Sequence, residues 1–274
     1  MSALDVLADW PVPTVAAAVV GQDGVIARHG DTSRTFALAS VTKLLVGRAA
    51  QVAVEEGAVD LDTEAGPPGA TVRHLLAHAA GYEMTSSKVI AEPGARRIYS
   101  NYGFTVLAET IERASEIPFS DYLREAVFAP LGMSGTSFEG GAEAAGYGGT
   151  STVDDLAVFA GDLLAPALVS APMHEEATGV VFEGLDGVLP GFGVQRPNDW
   201  GLGFEIRGTK SPHWTGAGNS PRTFGHFGQS GTFLWVDPDA ALALVVLTDR
   251  KFGDWAHEVM PELSDRTLRE WGPD

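Results

Sequence analysis

The chain has 274 residues, 45% of them apolar, enough to bury a substantial core and better suited to one compact body carrying an insertion than to two independent domains. Its 36 acidic residues outnumber 18 basic ones, for a formal charge of −18, and no basic cluster offsets them, which disfavours nucleic acid and anionic lipid as partners. Cysteine is absent, which excludes disulfides, thiol nucleophiles and cysteine-bound metals.

The apolar stretch at residues 12–20 follows Asp5 and Asp9 with no Lys or Arg before it, contains Pro13 and is too short to span a bilayer. It reads as a buried strand, not a signal or membrane segment, and a cytoplasmic location is expected. A second strand at residues 25–29 follows the hairpin turn Gly21-Gln22-Asp23-Gly24. Residues 41–56 are apolar on nearly every side except at Arg48 and Glu55 and stop at Gly57, the pattern of a buried helix. Ser40 and Lys43 therefore fall at its N-terminal mouth.

Residues 60–200 carry helical patterns between Gly- and Pro-rich loops. A helix is predicted over 71–79, closed by Gly81, and Phe104, Leu107, Ala108 and Ile111 share one helical face after Asn101. Ser151-Thr152-Val153-Asp154 reads as an N-cap with an acidic first turn. Residues 180–197 have no clear period and read as a glycine-rich loop shaping a cleft, while the glycines over 140–149 read as a flexible connection. Beyond Trp200, strands are predicted at 201–208, 232–238 and 241–249, pairing antiparallel, with Pro238-Asp239 turning between the last two. A terminal helix over 254–271 aligns Trp255, Val259, Leu263, Leu268 and Trp271, with Pro261 kinking it or starting a fresh helix. The expected fold class is α/β (α+β): an antiparallel sheet from residues 1–59 and 201–274, flanked by N- and C-terminal helices, with a mainly helical insertion over 60–200 and a cleft between the two.

Ser40-Val41-Thr42-Lys43 is a Ser-x-x-Lys tetrad, and residues three apart on a helix share a face, so hydroxyl and amine can meet. A serine hydroxyl becomes a competent nucleophile once a base takes its proton, and lysine serves only if its pKa is lowered. Leu44, Leu45 and Val46 on a buried helix suit that lowering. The plain structural alternative is an N-cap serine with a snorkelling lysine.

The runs FALASVTK, HLLAHAAGYE, EPGARRIYSNYGF, FAPLGM, GYGGTSTVDDLAVF, WGLGFEI and FGHFGQSG, in that order from residue 36 onward, resemble the serine β-lactamase and penicillin-binding-protein superfamily. The likeness is to the branch holding class C β-lactamases, D-Ala-D-Ala carboxypeptidases and related esterases. It implies Ser40 as nucleophile, Lys43 as its partner, and Tyr99 and Asn101 as the family's Tyr-x-Asn motif. Tyr99, its phenol pKa lowered by a charged Lys43, would share the proton transfers, and Asn101 would bind the lysine and the substrate; Lys43 and Tyr99 both qualify as the acylation base. Read without the resemblance, Tyr99 and Asn101 are a helix start with a capping asparagine. His226-Phe227-Gly228 stands where penicillin-interactive relatives carry Lys-Thr-Gly, so a group titrating near neutrality replaces a permanent cation and carboxylate binding is weakened. The resemblance also implies that the backbone N–H groups of Ser40 and Gln229 form the oxyanion hole. Gly228 fits a close backbone approach to a ligand or a simple bulge.

His74 and His78 are spaced to grip a metal, but Leu75 stands where a metalloprotease has Glu, and no metal or cofactor is expected. The expected activity is that of a serine hydrolase cleaving a small-molecule ester or amide through a Ser40 acyl-enzyme, with carboxylesterase favoured. The alternatives are a β-lactamase or D-amino-acid peptidase acting on a lactam or amide and, in another class, a covalent ligand sensor that never turns over. Sequence assigns no oligomeric state.

Overall fold

In the strand Leu242–Thr248, Ala243, Val245 and Leu247 enter one apolar cluster while Leu242, Leu244 and Val246 enter another, the two-residue alternation of a strand buried on both faces. The first strand does the same with Ala16, Ala18 and Val20 against Ala17 and Val19. A sheet so patterned must be covered on both sides. The computed structural model describes residues 2–273 and meets that demand.

The strands are β1 (Val15–Gly21), β2 (Gly24–His29), β3 (Phe36–Ala37), β4 (Ser137–Phe138), β5 (Gly149–Ser151), β6 (Gly187–Leu189), β7 (Gly193–Gln195), β8 (Glu205–Ile206), β9 (Phe224–Gly228), β10 (Thr232–Asp237) and β11 (Leu242–Thr248). The helices are α1 (Thr42–Glu55), α2 (Val72–Leu76), α3 (Asn101–Ser115), α4 (Phe119–Leu123), α5 (Ala129–Leu131), α6 (Val153–Leu164), α7 (Ala171–Thr178) and α8 (Asp254–Trp271). Six strands form one antiparallel sheet in the order β2-β1-β11-β10-β9-β8. This is the mixed antiparallel architecture expected from the sequence. No helix among the described residues is long and apolar enough to cross a membrane.

One sheet face is covered by α1 and by α6, which packs on β1 and β11 although it lies within residues 60–200; the other is covered by α8 and the N-terminal 3-10 turn Ala3–Asp9. The strand expected over 201–208 is confined to β8, the expected loop over 180–197 contains β6 and β7, and two predicted helices also differ from their sequence patterns. The tail is a single helix running through Pro261, and its buried face is Ala256, Met260, Leu263 and Thr267. Trp255, Val259, Leu268 and Trp271 lie at the margin of that face, partly buried against the same core. The predicted 71–79 helix shortens to α2, and His78 adopts a left-handed backbone at φ 53° where the chain leaves it.

Helix α1 is pinned from inside. Arg48 Nε lies 3.1 Å from Asp162 Oδ2 of α6, both side chains out of water, and its Nη1 donates to Gln51 Oε1 at 2.9 Å. Gln51 in turn donates to the Leu202 carbonyl at 2.8 Å. Asp162 Oδ1 accepts the N–H groups of Ala167 and Leu168, ending α6. Removing one member of such a pair strands the other charge in the core. Asp162→Ala should therefore lower unfolding free energy by about 3–5 kcal/mol, whereas Arg222→Ala, which breaks an exposed pair with Asp239, should cost less than about 1 kcal/mol. Urea denaturation of the two variants compares them, and equal losses would mean that the buried pair contributes nothing special.

Candidate active site

Ser40 sits in the 3-10 turn Ala39–Val41 immediately before α1, and the preceding Ala39 is held in a left-handed conformation at φ 47°. That turn is gripped on both sides. Leu38 donates its N–H to the Gly149 carbonyl at 2.9 Å, and its own carbonyl accepts the Thr232 hydroxyl of β10 at 2.9 Å. Strand β9 passes so close that a Cβ at Gly228 would collide with the Leu38 carbonyl and Thr232 Oγ1, which explains the glycine. Gly228 is thus a contact between the sheet and the turn that carries Ser40.

Tyr99 and Asn101 arrive from the segment leading into α3. The segment is fastened by Arg97, whose buried guanidinium donates to the carbonyls of Ala77, Val181, Phe182 and Asn198. Ser100, not Asn101, caps α3: its hydroxyl accepts the Gly103 N–H at 2.9 Å. The Asn101 side chain is thereby left for Lys43.

Tyr99 Oη and Ser40 Oγ lie 2.8 Å apart. Lys43 Nζ donates to Asn101 Oδ1 at 2.6 Å and to the Gly146 carbonyl at 2.7 Å, and stands 4.6 Å from the Tyr99 ring centroid. The tetrad spacing suggests a direct Ser40–Lys43 contact; among the described residues no hydrogen bond joins them, and Tyr99 is the group that meets the serine. The two groups are engaged elsewhere: the Lys43 amine is held by Asn101 and Gly146, and the Ser40 hydroxyl by Tyr99.

Burial sets the protonation of the group. Lys43 is fully buried, which holds its pKa well below the ordinary lysine range, as the sequence suggests. In its uncharged form, which burial favours, the amine has one lone pair and two N–H bonds, and Asn101 and Gly146 accept both. The Tyr99 phenol is pushed above its usual pKa by burial, with the Ser40 hydrogen bond acting the other way. This corrects the expectation of a phenol acidified by a charged lysine: the cost of desolvating a phenolate outweighs the favourable contact with Ser40.

His226 departs from expectation in the same direction. Burial, followed by the nearby Lys43, pushes its pKa down to about 3, so the ring is neutral across the physiological range and does not titrate near neutrality. Its Nδ1 donates to the Phe227 carbonyl, and its buried Nε2 has no partner among the described residues. Behind it, Glu205 on β8 accepts from Lys210, His213 and Trp214. These contacts overcome desolvation and keep the carboxyl well below the usual range.

Ser40, Tyr99, Asn101, His226 and Gln229 line one cavity of about 90 Å³, together with Met84, Leu189, Pro190 and Phe227. Lys43 lies beneath it and Gly228 behind the Ser40 turn. The backbone N–H groups of Ser40 and Gln229 are not taken by another described residue. The cleft-shaping loop expected over 180–197 supplies Leu189 and Pro190, whereas no sequence pattern points to Met84, Gly146 or Glu205. The 140–149 glycines are not a loose connection. A Cβ at Gly146 would press on Asn101, and one at Gly149 on Thr42, so glycine lets this loop reach Lys43. His74 pairs with Thr71, and His78 accepts the Ser100 N–H and packs 4.6 Å from the Tyr99 ring.

A family model described as Beta-lactamase matches residues 7–268. A crystal structure of a beta-lactamase from Mycobacterium bovis is 69% identical, with a TM-score of 0.99, covering 99% of this chain and 100% of that one. The same fold is found at 17% identity and TM-score 0.77 in EstCE1, a hydrolase with promiscuous acyltransferase activity, covering 97% of this chain and 96% of that one. Among curated sequences, a Salmonella heidelberg protein provisionally named D-alanyl-D-alanine carboxypeptidase is 24% identical over 200 residues, covering 58% of this chain. This chain spans 46% of that relative's length.

Because acid would protonate the Lys43 amine and remove its lone pair, Ser40 reactivity should fall as pH drops through the lowered lysine pKa and show no inflection in the ordinary lysine range. Labelling by a fluorophosphonate probe measured against pH tests this, and Lys43→Met should slow labelling by about 10²-fold or more. A limb near the usual lysine pKa, or undiminished labelling in the variant, would overturn the neutral-amine assignment.

Proposed function

The chain belongs to the beta-lactamase family and is a serine hydrolase, and from that premise we propose that it cleaves an uncharged small-molecule ester through an acyl-enzyme on Ser40. The observation that carries this reading is the 2.8 Å approach of Tyr99 Oη to Ser40 Oγ, with a desolvated Lys43 behind the phenol.

Ser40 Oγ attacks the ester carbonyl as its proton passes to the coupled Tyr99–Lys43 pair, phenol and amine acting as one acid–base unit. The carbonyl oxygen, now an oxyanion, takes the N–H groups of Ser40 and Gln229. The tetrahedral adduct collapses, the C–O bond to the alcohol breaks, and the same pair returns the proton to the departing alkoxide. Water then attacks the acyl-enzyme with the steps reversed in role, giving the acid and free Ser40. Asn101 holds the amine through its Oδ1 and keeps its NH2 for the substrate.

A second reading is lactam hydrolysis, favoured by the 69% identical relative described as a beta-lactamase. Against it weighs His226, which is neutral where a carboxylate-bearing lactam would be met by a cation. The carboxypeptidase name of a curated relative extends that alternative to D-amino-acid amides.

With p-nitrophenyl acetate the wild type should show a burst equal to enzyme concentration followed by steady turnover, and nitrocefin should be hydrolysed with kcat/KM at least about 10²-fold lower. Ser40→Ala should abolish both phases with an unchanged circular dichroism spectrum. A burst without turnover would identify a covalent sensor, and nitrocefin outpacing the ester would establish the lactam reading.

A further inference from the structure

The 90 Å³ cavity around Ser40 admits little beyond the scissile bond itself, so the rest of a substrate must leave it. Met84, Tyr99 and Pro190 line this cavity and also a groove of about 360 Å³ that continues from it. The groove's walls are Met84, Ile90, Ile98, Val188 and Pro190. We propose that this groove holds an aliphatic chain of the ester and that the enzyme selects against a carboxylate carried on that chain; this rests on Ser40-dependent ester cleavage.

Exposure supports the assignment. Among the described residues nine large apolar side chains are exposed, and three of them, Met84, Ile90 and Val188, line this groove. Scattered apolar side chains need no explanation, but convergence from separate parts of the chain on one mouth marks a binding surface. The two segments that carry them are also preformed. Met84 presents its carbonyl to the N–H groups of Asn101 and Tyr102 at 2.7 and 3.1 Å, Ile90 donates its N–H to the Gly81 carbonyl at 2.9 Å, and Gly187 bridges to Arg97. The apolar walls therefore hang on the same backbone that delivers Tyr99 and Asn101.

Charge points the same way. Arg97 lines the groove, but its guanidinium is committed to carbonyls. Glu83 adds a carboxylate beside the Ser86 hydroxyl, and Arg96 is exposed at the margin. Within the Ser40 cavity the His226 ring is neutral. An anionic substrate would lose its hydration there and gain no buried counter-ion, whereas methylenes gain by leaving water.

The test uses p-nitrophenyl esters from acetate to decanoate, and a second series of acetate esters of straight-chain alcohols. In one of the two series kcat/KM should rise by about two- to fourfold per added methylene up to six or eight carbons. The hexanoyl ester should exceed its ω-carboxylated counterpart, the adipate half-ester, by at least about tenfold. Ile90→Asp and Val188→Asp should each lower the octanoate-to-acetate ratio about tenfold, while Ile26→Asp, an exposed apolar residue on β2, should leave the ratio unchanged. Acetate turnover with flat profiles in both series, or equal rates for hexanoate and adipate, would overturn the groove assignment alone. Failure of every ester, with Ser40 unlabelled, would overturn the hydrolase reading beneath it.

Discussion

The site depends on one amine being removed from water. Lys43 lies at the base of the cavity with no exposed surface, and an ammonium there would carry a desolvation penalty of several kcal/mol. Among the described residues no carboxylate partners it; its two hydrogen-bond acceptors are an amide and a backbone carbonyl. Uncharged acceptors orient an amine without recharging it, so the same two contacts that locate Nζ also aim its lone pair. Those acceptors come from the start of α3 and from the glycine loop before β5, so the protonation state of Lys43 depends on how three separate segments dock.

Rigidity around that amine comes largely from buried cations spent on backbone. Arg97 ties four carbonyls of three loops together, and Lys210 donates to the Asp199 and Ile206 carbonyls as well as to Glu205. Loops satisfied in this way behave as part of the scaffold, and functional groups carried on them keep their geometry. Arg48 and Gln51 do the same for α1. A chain of net charge −18 thus places several of its few cations inside, as structural donors, and leaves the chemical centre nearly uncharged.

That near-neutral centre and the apolar mouth are consistent with each other. A neutral imidazole, an amine whose charged form burial disfavours and a phenol above its ordinary pKa offer an anionic ligand little, and the surrounding Met, Ile, Val and Pro side chains offer none. The fold sets the surroundings of Ser40, and the walls beyond it are apolar.

Much of this was legible in the residues themselves. Strand alternation in β1 and β11, the buried pattern of α1, the Thr152 cap of α6 and the order of the Ser40, Tyr99 and His226 motifs are local or periodic features, and local features survive in one dimension. The gathering of Ser40, Tyr99, Asn101, His226 and Gln229 about one cavity was foreseeable only through resemblance, because nothing in their spacing encodes it. Which group meets Ser40, which nitrogen of His226 carries the proton, that Tyr99 is not acidified, that Gly146 completes the lysine's shell and that the mouth is apolar were decided by tertiary structure. Each of these is set by desolvation or by contact between residues far apart in the chain. Free energies of that kind come from the whole packed environment, whereas sequence order fixes only neighbours.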